Sequence, residues 1–106
     1  MVTIGRIVET VARHYDVPPS VLLGADRHKS VTEARHVAMA LARQRMGASF
    51  PELGRYFGRD HTTCIYAVRR VHAALAPKVG RVVLEEERMR IAVAAIESRL
   101  DGDDAA

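Results

Sequence analysis

The stretch that most constrains this chain covers residues 49–71: Ser49-Phe-Pro-Glu-Leu-Gly-Arg-Tyr-Phe-Gly-Arg-Asp-His-Thr-Thr-Cys-Ile-Tyr-Ala-Val-Arg-Arg-Val71. It reads as a short helix, a tight turn and a second helix. Ser49 is placed to cap the first helix, Pro51 suits its first turn, and Glu52 completes a capping box. Leu53, Tyr56 and Phe57 give that helix one apolar stripe. Gly58 supplies the positive φ that a sharp exit needs. Asp60 then caps the second helix, whose inner stripe is Cys64, Val68, Val71 and Leu75. Its other face carries Thr62, Thr63, Tyr66, Arg69 and Arg70. Such a pair is a helix-turn-helix, and its second helix has the shape that enters a DNA major groove.

The distribution of charge points the same way. Of the 106 residues, the first 76 hold eleven Lys or Arg against six Asp or Glu, whereas residues 77–106 hold five against seven. The positive field therefore belongs to the part that contains the helix-turn-helix, which suits a polyanion. Cys64 is the only cysteine, so no internal disulfide and no thiolate metal cluster is expected. It reads as a small core residue. His14, His28, His36 and His72 lack metal-ligand spacing. No apolar run approaches the roughly 20 residues of a membrane span, and the first residues lack the apolar core of a signal peptide. A soluble protein of a reducing, cytoplasmic compartment is expected.

In chain order, Thr3 caps a first helix on which Ile4, Ile7, Val8, Val11, Ala12 and Tyr15 recur at helical spacing. Asp16-Val-Pro-Pro ends it. Residues 19–23 form one helical turn closed by Gly24. A polar loop, Gly24-Ala-Asp-Arg-His-Lys-Ser30, follows. Its Lys29-Ser30 ending has the form of a phosphate-binding loop, but His28 stands where that pattern needs glycine, and no strand precedes it. Nucleotide binding is therefore not expected. Ser30 and Glu33 make a second capping-box pattern at the head of a long helix, with Val31, Ala34, Val37, Ala38, Leu41, Ala42 and Met46 on its apolar face and Gly47 at its end. Its small alanines allow a neighbouring helix to come close. After the helix-turn-helix, Pro77 and residues 76–80 read as a linker. A last helix runs from about Val82 to Leu100, with Leu84, Met89, Ile91, Val93, Ala95, Ile96 and Leu100 available for burial. Glu85-Glu-Glu87 favours the positive end of its dipole. Residues 101–106 read as a frayed tail. No stretch alternates with period two, so the fold is expected to be all-α: a small helical domain over residues 1–76, then a linker, an additional C-terminal helix and an acidic tail over 77–106.

Several ordered motifs resemble one family. Val11-Ala-x-x-Tyr15, Ser20-Val-Leu-Leu23, Arg27-His-Lys-Ser30, Ala34-Arg-His-Val-Ala-Met-Ala-Leu-Ala42 and, above all, residues 49–63 resemble the C-terminal DNA-binding domain of the bacterial chromosomal replication initiator DnaA. The resemblance covers residues 3–75. It implies that Arg27 enters a minor groove beside the site, and that Lys29 and Arg35 hold phosphates or base edges nearby. It implies that Arg59, Asp60, His61, Thr62 and Thr63 face the major groove of a DnaA box. The residue chemistry is consistent: Asp accepts from a cytosine amino group, Thr touches phosphate or a thymine methyl, and Arg grips guanine or phosphate. His36 joins these candidates, and Arg69 is a phosphate candidate on the same helix face.

The chain departs from the family in three ways. One glycine, Gly58, stands where the family usually has two, so the turn is one residue shorter. His36 stands where the family often has Gln, and Asp26 and Glu33 stand where it is often basic. The sequence contains no counterpart of the family's ATPase domain, so either an excised domain or, from Met1 and the distinct acidic tail, a small stand-alone relative is expected. The expected function is sequence-specific binding of double-stranded DNA at DnaA-box-like sites, in origin binding or the control of replication initiation, with transcriptional regulation as the alternative. A protein-interaction module is the rival reading, with the last helix as a candidate homodimer contact. No nucleophile–base pair, carboxylate pair or metal cluster supports an enzyme, and no cofactor is expected.

Overall fold

A computed structural model describes residues 2–77, 80 and 83–105, with side chains through residue 102. Its order is α1 (Ile4–Tyr15), α2 (Pro19–Leu23), α3 (Lys29–Met46), α4 (Phe50–Phe57), α5 (His61–Leu75) and α6 (Leu84–Ala105). The described residues contain no strand, and the fold is all-α.

Local chemistry sets most of the boundaries. The Arg6 amide donates to Thr3 Oγ1 at 3.1 Å and opens α1; Asp16 closes it in the left-handed region at φ 55°. Pro18 and Pro19 start α2, and Gly24 follows it. Gly47 ends α3 at φ 66°. Ser49 and Glu52 form the expected reciprocal capping box of α4, at 3.2 Å in both directions.

α3 is the spine. Val31 and all ten residues from Glu33 to Ala42 are buried, because α1, α2, α4, α5 and α6 pack around it. Ala34, Ala38, Ala40 and Ala42 keep it thin enough for neighbours on several sides. Ile7, Val8 and Val11 of α1, Leu53 and Phe57 of α4, and Cys64, Ala67, Val68 and Val71 of α5 complete the core around it.

The structure corrects the reading of Ser30 and Glu33 as a capping box. His28 is the N-cap of α3 and Lys29 is already helical. Glu33 is buried instead, at 1 % exposure, where it accepts from the Tyr15 hydroxyl at 2.6 Å and from Arg88 Nη2 at 2.6 Å. One carboxylate thus ties α1, α3 and α6 together.

The described part of the last helix starts at Leu84 and continues to Ala105, so residues 101–105, expected to fray, are helical. Lys78, Val79, Arg81 and Val82, assigned to the linker and the helix start, lie outside the described residues. Met89, Ala92, Val93, Ile96 and Leu100 are buried against α1, α3 and α5. Leu84, Ile91 and Ala95, counted with them in the sequence, stay exposed. Polar ties add to this docking: Glu85 Oε1 accepts from Arg70 at 2.8 Å, Arg90 donates to the Ala74 carbonyl at 3.2 Å, and Arg45 meets Asp101 at 2.9 Å.

Candidate nucleic-acid interface

Two polypeptide segments border one surface groove of about 530 Å³. The α2–α3 loop contributes Ala25, Asp26 and Arg27, and the turn and first residues of α5 contribute Gly58, Arg59 and Thr63. Thr32, Arg35, His36 and Met39 of α3 form its floor.

The turn between α4 and α5 closes with one glycine. Gly58 sits at φ 64°, and the amides of Gly58 and Arg59 both reach the Gly54 carbonyl, the latter at 2.9 Å. The chain then folds back so tightly that a Cβ on Gly54 would lie 2.7 Å from the Arg59 carbonyl oxygen. Gly54 therefore serves by allowing close approach, not by its φ. Asp60 caps α5, accepting from the Thr62 amide at 2.8 Å. That bond holds its carboxyl below the usual range, so Asp60 presents a negative charge at the mouth of the helix.

His61, Thr62 and Thr63 occupy the exposed first turn of α5. Arg69 lies further along α5, also exposed, and Arg27 and Lys29 are exposed at the loop and the start of α3. The side chains of Arg27, Lys29 and Arg69 have no partner among the described residues. They are cations with their donors turned to solvent. Tyr66 is 62 % exposed and its ring stands edge-on to His36, 5.8 Å between centroids.

Three expected contact residues are placed differently. Arg35 is buried; its Nε donates to the Leu22 carbonyl at 2.7 Å and its Nη2 to the carbonyls of Gly24 and Asp26 at 3.0 and 3.1 Å. Burial, then the nearby charge of Arg59, lowers its pKa. Arg59 is half-buried and turns back from the helix mouth, donating from Nη1 to the Phe57 carbonyl at 2.9 Å and from Nη2 to the Gly24 carbonyl. His36 is buried, and Arg70 Nη1 lies 3.0 Å from its Nδ1. A guanidinium only donates, so Nδ1 accepts and the ring is neutral with its proton on Nε2. Burial, with Arg70 and Arg35 beside it, pushes the His36 pKa down to about 4.

The loop itself is ordered by Asp26, whose Oδ1 accepts from the His28 amide at 2.8 Å and faces the His28 ring nitrogen at 2.7 Å. Sequence reading treated Asp26 only as an unfavourable charge. Its place two residues before His28, as in an Asx turn, was the available signal. Cys64 is fully buried and its thiol is pushed up by that burial, which fits a core residue.

Among the described residues no group of three or more His, Cys, Asp or Glu could hold a metal ion, and no helix is long and apolar enough to cross a membrane.

Comparison with known proteins gives the same motif. The chain is 48 % identical over 66 residues to the chromosomal replication initiator protein DnaA of Tropheryma whipplei (strain Twist), a match covering 62 % of this chain and 14 % of that protein. It is 43 % identical over 76 residues to the protein of the same name from Cereibacter sphaeroides (strain ATCC 17029 / ATH 2.4.9), covering 71 % and 17 %. The chain thus spans about a sixth or less of the length of these relatives. The family described as the bacterial DnaA protein helix-turn-helix matches residues 4–71. With more than half of its length inside that match, the chain belongs to the bacterial DnaA helix-turn-helix family.

Proposed function

We propose that this chain binds double-stranded DNA sequence-specifically at DnaA-box-like sites, as an origin-binding protein or a regulator of replication initiation, and that it is not an enzyme. The observation that carries this reading is the shared groove: the exposed first turn of α5 on one side and the Arg27 loop on the other. A recognition helix in the major groove leaves an adjacent loop facing the backbone and the next minor groove. In this reading Asp60 accepts from a base edge, His61, Thr62 and Thr63 read base edges or the flanking phosphates, and Arg27 enters the minor groove. Lys29 and Arg69 neutralise phosphates, which sets register and orientation without reading sequence. His36 offers its Nε2 proton from the groove floor. Arg35 and Arg59 serve the same surface from within. The relatives named chromosomal replication initiator protein support a role at replication origins.

Fluorescence anisotropy with a DnaA-box duplex and a scrambled duplex, across a salt series, tests the reading. Selective binding to the box is the expected result. Thr62→Ala should cost about 1–3 kcal/mol and relax preference at one base pair. Lys29→Ala should weaken both duplexes alike and reduce the salt slope by about one. Wild-type affinity in both Thr62→Ala and Arg27→Ala would sink the assignment.

A further inference from the structure

The carbonyl oxygen of Gly24 accepts from two guanidinium groups. Arg35 reaches it at 3.0 Å from α3, and Arg59 reaches it from the turn of the helix-turn-helix, 35 residues further along the chain. Arg35 also holds Leu22 and Asp26, so one carbonyl near the end of α2 and two of the α2–α3 connection sit on one buried side chain. Arg59 also holds Phe57, the last residue of α4, at 2.9 Å. Its planar fork therefore bridges the end of α4 to the loop.

We infer that Arg59 is a positioning residue that fastens the Arg27 loop to the turn before α5, so that the minor-groove and major-groove contacts act as one unit. The inference rests on the DNA-binding reading above and assigns Arg59 a role other than touching a base.

The chemistry favours this role. A carbonyl oxygen has two lone pairs, and on Gly24 both have donors. Like charges as close as Arg35 and Arg59 repel, so their convergence needs acceptors that fix both. Arg59 Nη1 and Nη2 each already face a carbonyl, whereas the exposed Arg27 faces none among the described residues. Arg27 lies three residues from Gly24, next to the held carbonyl of Asp26. Its backbone is thus ordered before any ligand arrives, and that ordering entropy is lost on folding rather than on binding. A lysine at 59 would keep the charge but lacks the rigid fork that spans two acceptors.

The test is a double-mutant cycle with a DnaA-box duplex, read by anisotropy. Arg59→Lys should weaken binding about tenfold in the wild-type background, the size of one lost specific contact. In an Arg27→Ala background the same change should alter affinity less than about twofold, because the side chain that the clamp positions is gone. Losses that multiply would show that Arg59 contacts DNA on its own account and would overturn the inference. Hydrogen exchange without DNA supplies the second readout. Exchange across residues 24–28 should speed up in Arg59→Lys while α1 and α3 keep their protection. Unchanged exchange there would also overturn it. If the wild-type chain fails to prefer the box, the DnaA-box reading fails, and the exchange measurement alone decides whether the clamp exists.

Discussion

At pH 7 the His36 ring is neutral, because burial and the charges of Arg70 and Arg35 hold its pKa down to about 4. An unfolded histidine titrates near 6.5. The unfolded chain therefore takes up a proton first as pH falls, and stability present above about 6.5 is lost progressively towards 4. Urea unfolding at pH 7 and pH 4.5 should show a loss on the order of 2 kcal/mol from this residue. His36→Gln should remove most of that loss, since Gln cannot charge but can still accept from Arg70. Glu33 adds a second acid limb. Burial pushes its pKa up, but hydrogen bonds from Arg88 and Tyr15 outweigh it and the net shift is down. Its contribution is present above the ordinary Glu range and fades below about pH 4. Glu33→Gln should cost about 1–3 kcal/mol at pH 7, measured by the urea midpoint; Arg88 is 62 % exposed and can turn to water, which keeps the loss below that of a fully buried pair. Neither role was legible in the sequence. The spacing Ser30-x-x-Glu33 satisfies a local capping rule, and nothing in it announces an arginine 55 residues away. The same holds for Arg35, whose partners are backbone carbonyls with no sequence signature.

At the scale of elements, the α4–turn–α5 unit was legible almost in full, because caps and turns are written in neighbouring residues. Ser49, Glu52, Gly58 and Asp60 all do what their spacing implies. The exceptions are Tyr56, assigned to the apolar stripe but 43 % exposed, Arg59, which turns back to the Gly24 carbonyl, and Gly54, which looks like an ordinary weak point inside a helix until the turn folds over it. This separates two substitutions. Gly58→Ala places a Cβ in the left-handed region and meets open space otherwise, so it should cost about 1–2 kcal/mol. Gly54→Ala drives a Cβ onto backbone and should also shift the Arg59 carbonyl. It should cost about 1–3 kcal/mol and weaken DNA binding further than its stability loss accounts for. Thermal melts with parallel anisotropy titrations separate the two effects. Asp60→Ala should lower stability by about 1 kcal/mol through the lost cap, and Asp60→Asn by far less. A large affinity loss in Asp60→Asn would then belong to the carboxylate itself.

At the scale of the molecule, α6 closes the core, and sequence reading could place that helix but not its docking site. Periodicity says which residues want burial, not against what. Its buried Met89, Val93, Ile96 and Leu100 are worth about 1.5–3 kcal/mol each, together comparable with the whole stability of a small domain. Deleting residues 84–106 should therefore unfold the rest, seen as loss of the helical circular-dichroism signal, so a truncation cannot probe self-association. Ile91→Glu, at a position 61 % exposed, should leave the melt within about 0.5 kcal/mol of wild type and is the sound variant for sedimentation. The closure of α3 by both ends of the chain also has a kinetic meaning. Ile7 and Leu100 belong to one core, so contacts of very long sequence separation must form before α3 is covered, and such contacts slow folding. On a ribosome, the loop and the reading helix leave the exit tunnel well before Leu100 does. The surface proposed to meet DNA is thus synthesised before the helix whose Met89, Val93, Ile96 and Leu100 complete the shared core, so its stability, unlike its residues, is supplied late.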